Sequence, residues 1–309
     1  MVKIAVLLCT KNGARYIQEQ LISIAEQNIG EIDLYISENK SSDDTSRIIE
    51  KFAKNNKNIN IIFLNGMDLH FANNYVLLAK SIKKVYQFYA FCDQDDIWLK
   101  CHLERGISCL EKIEGKKALL HCSRTMLINE NGKKIGKSQK FIKKPFFQNA
   151  LVQSIAGANT MIFNKEAFNL LIKISSNTRI VSHDWLLYIL VSGSGGEVIY
   201  NQIPTVLYRQ HDKNIIGSNM GILNKIKRLV KVFEGEYRDY NLSNFDQIES
   251  VNALTIQNHK IYKYYKESIN GNIFLRLFYL FRSGVYRQSI FGQLGLILSI
   301  FITKRRFIK

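Results

Sequence analysis

Asp93-Gln94-Asp95-Asp96 stand between an apolar run at 86–92 and the pair Ile97-Trp98. Carboxylates gathered this closely at a strand's end are unfavourable unless a cation sits among them. In an extended backbone, side chains two apart point the same way, so Asp93 and Asp95 face one ion while Asp96 points elsewhere. Hard oxygen ligands suit Mg²⁺ or Mn²⁺, and these ions often carry a substrate's diphosphate. The chemistry is then that of a metal–diphosphate site. The alternative is a solvated acidic turn that caps a helix beginning near Leu99.

Such residues need a scaffold, and the first half of the chain supplies a regular one. Apolar strand patterns at 3–9, 32–37, 58–64 and 87–92 alternate with helical spacing at 16–27, 44–52 and 73–83. This βαβαβαβ order predicts an α/β fold with a mostly parallel, doubly wound sheet covered by helices on both faces. In such sheets ligands bind beyond the carboxyl ends of the strands. Three polar clusters fall at such ends, namely Thr10-Lys11-Asn12-Gly13, the stretch 37–44 and the acidic quartet. The second half is more mixed. Strands are expected at 118–126, 154–163, 197–200 and 205–209, a helix from Ser182 to about Val191, and helices beyond Ile222.

The 309 residues carry 43 Lys+Arg against 26 Asp+Glu, a net charge of +17, which calls for an anionic partner. Glu267 is the last acidic residue, and the 42 positions after it hold Arg276, Arg282, Arg287, Lys304, Arg305, Arg306 and Lys309 among many Phe, Leu and Ile. Basic and strongly apolar together is the composition of a membrane-surface segment, whereas nucleic-acid arms are basic and polar, so no nucleic acid is expected. No apolar stretch reaches the ~20 residues that span a bilayer. The run at 2–9 reads as a first strand and not as a signal peptide. Five cysteines, Cys9, Cys92, Cys101, Cys109 and Cys122, show no metal-ligand spacing and read as reduced thiols of a cytosolic protein.

Together these segments resemble family 2 glycosyltransferases with the GT-A fold, in particular bacterial rhamnosyltransferases that build surface polysaccharides. Leu7 to Gly13 is similar to the family's first strand and turn, and Ile36 to Thr45 to its second strand and acidic loop. Phe91-Cys92-Asp93-Gln94-Asp95-Asp96-Ile97-Trp98 resembles its DXD motif. Ser182-His183-Asp184-Trp185 resembles the segment of the catalytic base, and Tyr208-Arg209-Gln210-His211-Asp212-Lys213-Asn214 the closing motif. The resemblance covers about residues 1–220, leaving 221–309 as a basic, amphipathic helical extension. One departure stands out: where the family loop has two Asp and a Gly, this chain has Glu38, Asn39 and Lys40. A lysine there implies a turn that does not demand glycine's backbone.

The resemblance implies roles. Asp95 and His211 would hold the metal, with Asp93 on the ribose or on the ion's waters. Thr10, Asn12, Glu38 and Asn39 would hold the nucleotide, and Arg209 would face the diphosphate as a bidentate fork. Asp184 would be the general base of an inverting transfer, where the bland alternative is a helix N-cap carboxylate. Gly157 would let backbone approach the sugar, or relieve a crowded strand. The implied enzyme takes a nucleotide sugar, dTDP-L-rhamnose first among them, to a polyprenyl-diphosphate-linked glycan of an O-antigen- or capsule-like polysaccharide. It would sit in the cytoplasm against the inner membrane through 270–309, with a homo-oligomer also open. Two rivals remain: a sugar-1-phosphate nucleotidyltransferase, which wants a Gly-rich phosphate loop where only Gly13 is present, and a non-catalytic nucleotide-sugar- or glycan-binding protein.

Overall fold

The computed structural model describes residues 3–67, 69–155, 157–176, 178, 180–212, 236–270 and 272–301. The end of the closing motif (Lys213, Asn214), the boundary at residue 220 and the basic cluster Lys304, Arg305, Arg306 and Lys309 lie outside them.

Strands β1 (Lys3–Thr10), β2 (Glu31–Glu38), β3 (Asn60–Asn65) and β4 (Phe88–Cys92) alternate with helices α1 (Ile17–Ala25), α2 (Thr45–Asn55) and α3 (Phe71–Ser81). A short β5 (Ile97–Trp98) and α4 (His102–Glu111) follow, then β6 (Leu119–Ser123), β7 (Met126–Ile128), β8 (Lys134–Lys137) and a one-turn α5 (Phe147–Ala150). Next come β9 (Ile162–Asn164), α6 (Lys165–Leu171), α7 (His183–Gly193), β10 (Glu197–Asn201) and β11 (Val206–Arg209). The extension contributes α8 (Glu236–Val251), α9 (Ile256–Asn270), α10 (Ile273–Ser283) and α11 (Ile290–Ser299).

The main sheet has seven strands in the order β10-β6-β9-β4-β1-β2-β3. All its pairings are parallel except those of β9, which runs antiparallel to β4 and β6. Period-two alternation explains how one strand feeds two cores. Ile4, Val6 and Leu8 of β1 enter the core shared with α1, α2 and α4. Ala5 and Leu7 enter the core shared with α3, α6 and α7. Tyr89 and Phe91 against Phe88, Ala90 and Cys92 divide β4 the same way. These continuous apolar strands are those of a parallel sheet buried on both faces.

Helix α7 is buried over its whole length. It packs on β6 and β10 of the sheet and on α3, α5 and α6, and the extension's Phe245, Ile248, Tyr262, Tyr265, Leu280 and Leu296 belong to the same core. The expected helical extension is therefore packed onto the catalytic body. A second sheet, β5-β11-β7-β8, stands beside the first at the carboxyl end of β4.

Four expectations need correction. Residues 93–96 form a turn between β4 and β5 and are not extended. That turn caps no helix, because β5 follows it and α4 starts only at His102. The strand expected at 154–163 is instead an irregular segment, a 3₁₀ turn (Ala158–Thr160) and the short β9. The pattern at 118–126 is broken at Arg124-Thr125 into β6 and β7, which belong to different sheets.

Candidate active site

The loops after β1, β2 and β4 interlock. Asn12 N donates to Ser41 Oγ (2.9 Å), Gly13 N to Thr45 Oγ1 (2.8 Å) and Ala14 N to Asp43 Oδ2 (3.1 Å). Asn12 Oδ1 accepts from Ser42 N at 2.8 Å, with Asn12 in the left-handed region (φ 51°) that asparagine tolerates well. Burial opposes ionisation of Asp43, but bonds from Thr45 and Ala14 outweigh it and hold its carboxyl below the usual range.

Gln94 ties the acidic turn to this pair of loops. Its Oε1 accepts from Thr10 Oγ1 (2.6 Å) and Lys11 N (3.1 Å), and its Nε2 donates to Lys11 O (3.2 Å). Sequence reasoning assigned Gln94 no role. The available signal was one neutral amide among three acids, the residue able both to donate and to accept there.

Glu38 and Asn39, at the end of β2, are both buried. Glu38 Oε1 accepts from Ser41 N at 2.6 Å, and Asn39 N donates to Thr10 O at 2.9 Å. A Cβ on Gly66 would lie 1.8 Å from Asn39 Oδ1, so the amide rests directly on that glycine. Lys40 has φ 53°, the left-handed conformation that glycine adopts most freely. The lysine thus holds the backbone conformation that favours glycine, contrary to the expectation that the turn has no such demand.

Within the quartet the three acids have different surroundings. Asp93 accepts from Tyr75 Oη at 3.1 Å. Burial first, then the charge of Asp95, push its carboxyl up to about 7; the Tyr75 bond works against this, and the charge of Asp184 adds to it. Asp96 is fully buried, accepting from Asn159 Nδ2 and from Arg209 N (3.0 Å). Burial, with Asp95 and Asp93 beside it, raises its carboxyl too.

Asp95 Oδ2 lies 2.7 Å from His211 Nε2, and the imidazole stacks on Tyr16 with ring centroids 5.2 Å apart. β11 delivers His211 here because it pairs with β5 on one side and β7 on the other. Arg209, on the same strand, does not present the expected fork to a diphosphate. Its guanidinium is buried and donates to Asp95 O (2.9 Å), Glu130 O (2.8 Å) and the Glu19 carboxylate (2.8 Å). It also lies over Tyr16, with Cζ 4.5 Å from the ring centre. Arg209 therefore braces the backbone under Asp95.

Asp184 begins α7. Its Oδ1 accepts from Trp185 N (2.7 Å) and Ser182 Oγ, and its Oδ2 from Ala158 N (3.1 Å). Ala158 and Asn159 are neighbours in the 3₁₀ turn, so one turn contacts Asp184 through its backbone and Asp96 through its side chain. The acidic turn and the start of α7 thus flank the same short segment. Asp184 is bonded to its own N-terminal turn as a capping residue would be, and its charge also reaches Asp93. His183 is buried, with Tyr75 stacked 4.0 Å from it between centroids, and burial pushes its imidazole down to about 4.

Among the described residues no three His, Cys, Asp or Glu side chains form a ready metal cage. Asp95 and His211 offer two adjacent donors, a carboxylate oxygen and an imidazole nitrogen. A divalent ion that carries a diphosphate takes its remaining ligands from phosphate and water, so this small donor set fits the ion's usual habit.

Residues 5–177 match glycosyl transferase family 2. The chain is 31% identical over 307 residues, 95% of its own length and 100% of the relative's, to the dTDP-rhamnosyl transferase RfbG of Shigella flexneri. The fold is that of S. aureus TarS 1-349 in complex with UDP, with TM-score 0.54, 12% identity and 97% and 89% of the two chains covered. It is similarly that of the mannosyltransferase PcManGT from Pyrobaculum calidifontis in complex with GDP-Man and Mn²⁺, with TM-score 0.52, 14% identity and 91% and 85% covered. With a GT-A fold and a family match over more than half its length, this chain belongs to glycosyl transferase family 2.

Proposed function

We propose that this glycosyltransferase is metal-dependent and inverting, and that it moves L-rhamnose from dTDP-L-rhamnose to a lipid-linked oligosaccharide of a cell-surface polysaccharide. The observation that carries the reading is the placement of Asp184 beside the acidic turn, bridged by the 3₁₀ turn and close enough for its charge to act on Asp93. An inverting displacement needs a leaving-group site and a base on opposite sides of one sugar carbon. The rhamnosyl donor is supported by the relative of that name at 31% identity.

In this mechanism Glu38, Asn39 and the interlocked loops hold the nucleotide, and Thr10 acts through Gln94 to fix the acidic turn beneath the diphosphate. Asp184 orients the acceptor hydroxyl and takes its proton as the oxygen bonds to the anomeric carbon, while the bond from that carbon to the diphosphate oxygen breaks. The electron pair of the broken bond leaves with the nucleoside diphosphate. Mg²⁺ or Mn²⁺, held by Asp95 and His211, would supply positive charge against the leaving diphosphate. Trp185 N and Ser182 Oγ both bond to Asp184 Oδ1, whereas among the described residues Oδ2 accepts from Ala158 N alone, so Oδ2 is the oxygen that takes the proton.

The acceptor's lipid places the enzyme on the cytoplasmic face of the inner membrane, with contact through 270–309. Purified protein should release dTDP from dTDP-rhamnose, and transfer to a membrane extract, only when Mg²⁺ or Mn²⁺ is present. Turnover unaffected by chelation would sink the metal reading, and turnover with UDP- or GDP-sugars alone would sink the donor.

A further inference from the structure

From Asn131 to Lys165 the chain contains no Asp or Glu, while Lys133, Lys134, Lys137, Lys140, Lys143 and Lys144 fall within twelve positions. All six lysines are exposed. They begin just before β8, the edge strand of the small sheet, and continue through it along an irregular segment. That segment is fixed to the body: Arg124 Nε donates to Ser138 O (2.6 Å) and Tyr200 Oη to Gln139 O (3.2 Å). It then meets the linker between α10 and α11. Gln288 Oε1 accepts from Ile142 N (3.2 Å) and Lys143 N (2.9 Å), and Lys143 Nζ donates to Arg287 O (2.9 Å). The basic segment of the catalytic body and the apolar extension are thus one continuous surface.

That surface is apolar where the two parts join. Ile142 is 81% exposed, Phe274 82% and Phe291 87%, with Phe146 and Phe281 also exposed. Helices α10 and α11 already bury Leu280 and Leu296 in the core, so each carries apolar residues on its outer face as well. An exposed apolar face of this size marks a contact with something else. Among the described residues no helix is long and apolar enough to cross a membrane, which leaves contact in the interface plane.

We infer that segment 133–146 and the outer faces of α10 and α11 together form a docking surface for an anionic phospholipid bilayer, the lysines supplying attraction to headgroups and the aromatic side chains insertion. This rests on the membrane-peripheral reading above and extends it, because it puts the electrostatic half of the contact in the catalytic body, outside 270–309. Charge decides among occupants. A second copy would bring six more lysines against these, and the net charge of +17 makes that approach repulsive. A polynucleotide would match the lysines and leave the phenylalanines in water.

The test is co-sedimentation of the full chain with phosphatidylcholine vesicles with and without phosphatidylglycerol. Wild type should bind the phosphatidylglycerol vesicles. A Lys133→Ser/Lys137→Ser/Lys140→Ser variant should bind them roughly a hundredfold more weakly, at the usual contribution of each basic residue near an anionic surface. A Phe274→Ser/Phe291→Ser variant should lose binding while keeping metal-dependent dTDP release in solution. Unchanged vesicle affinity in the lysine variant would overturn the proposal, as would a wild type that ignores the vesicles and forms a dimer or binds duplex DNA instead. Absence of dTDP release with vesicle binding intact would instead count against the enzymatic reading alone.

Discussion

His211 Nε2 sits 2.7 Å from Asp95 Oδ2 across 116 positions of sequence, with Tyr16 stacked on the imidazole. Two candidate ligands of one ion are therefore already side by side. Asp95→Asn and His211→Ala should each weaken Mn²⁺-dependent binding of dTDP by at least about tenfold, since even outer partners of a metal site are worth that much. A thermal-shift titration of dTDP with and without Mn²⁺ checks this. If both variants keep the wild-type metal effect, the ion is held elsewhere.

Asp184→Asn preserves size and one oxygen, the Oδ1 that accepts from Trp185 N and Ser182 Oγ, while an amide nitrogen replaces the Oδ2 that faces Ala158 N and the basic carboxylate is lost. We expect kcat to fall by roughly 10² to 10⁴, the usual worth of a general base, with dTDP affinity unchanged. Rates equal to wild type would reduce Asp184 to a helix cap.

Asn39 leans on Gly66, where a Cβ would also come within 2.7 Å of Glu38 O, a backbone atom that has little room to yield. Gly66→Ala should destabilise the fold by about 1–3 kcal/mol through overpacking and weaken nucleotide binding with it. Lys40→Gly should do the opposite to stability. It relieves a left-handed strain of about 1–2 kcal/mol, less about 0.5–1 kcal/mol of glycine entropy. Urea melts of both variants measure the two effects, and a Gly66→Ala protein as stable as wild type would mean the loop shifts freely.

Three buried histidines set an acid limit. Burial pushes His102 down to about 3 and His121 and His183 down to about 4. An unfolded histidine protonates near pH 6.5, so between that value and about 4 the unfolded chain holds protons that the folded one refuses. Stability therefore falls as pH drops below about 6.5, by up to one proton's slope for each histidine. The raised carboxyls of Asp93 and Asp96 take up protons in the folded state over the same range and act in the opposite sense. The melting temperature should therefore decline only by the histidines' excess over them between pH 7.5 and 5, and His121→Gln should flatten the decline. An unchanged slope in that variant would assign the acid sensitivity to other groups.

The strand–helix alternation of the first half was legible because β1 and β4 are apolar on both sides, β2 is apolar on one, and their helices bury one stripe, such as Ile17, Leu21 and Ile24 of α1. So was the gathering of the loops after β1, β2 and β4 on one sheet edge. Segment 154–163 misled because alternating apolar residues there serve a 3₁₀ turn and a short antiparallel strand. Arg209 misled because a charged residue near a diphosphate site looks functional, and nothing local reveals that Glu19, 190 positions earlier, claims its guanidinium. Gln94 was passed over for the same reason: its partners, Thr10 at the end of β1 and Lys11 just after it, lie 84 and 83 positions away.

β11 is the last strand of the small sheet to be made and yet lies in its middle, between β5 and β7. On the ribosome the flanking strands emerge first and wait with open hydrogen-bonding edges until residue 209 is clear of the exit tunnel. A nascent or nicked polypeptide that stops short of this point keeps a nearly complete main sheet but leaves two sticky strand borders exposed. Such a fragment would be recognised by chaperones and proteases before it could ever meet a sugar nucleotide.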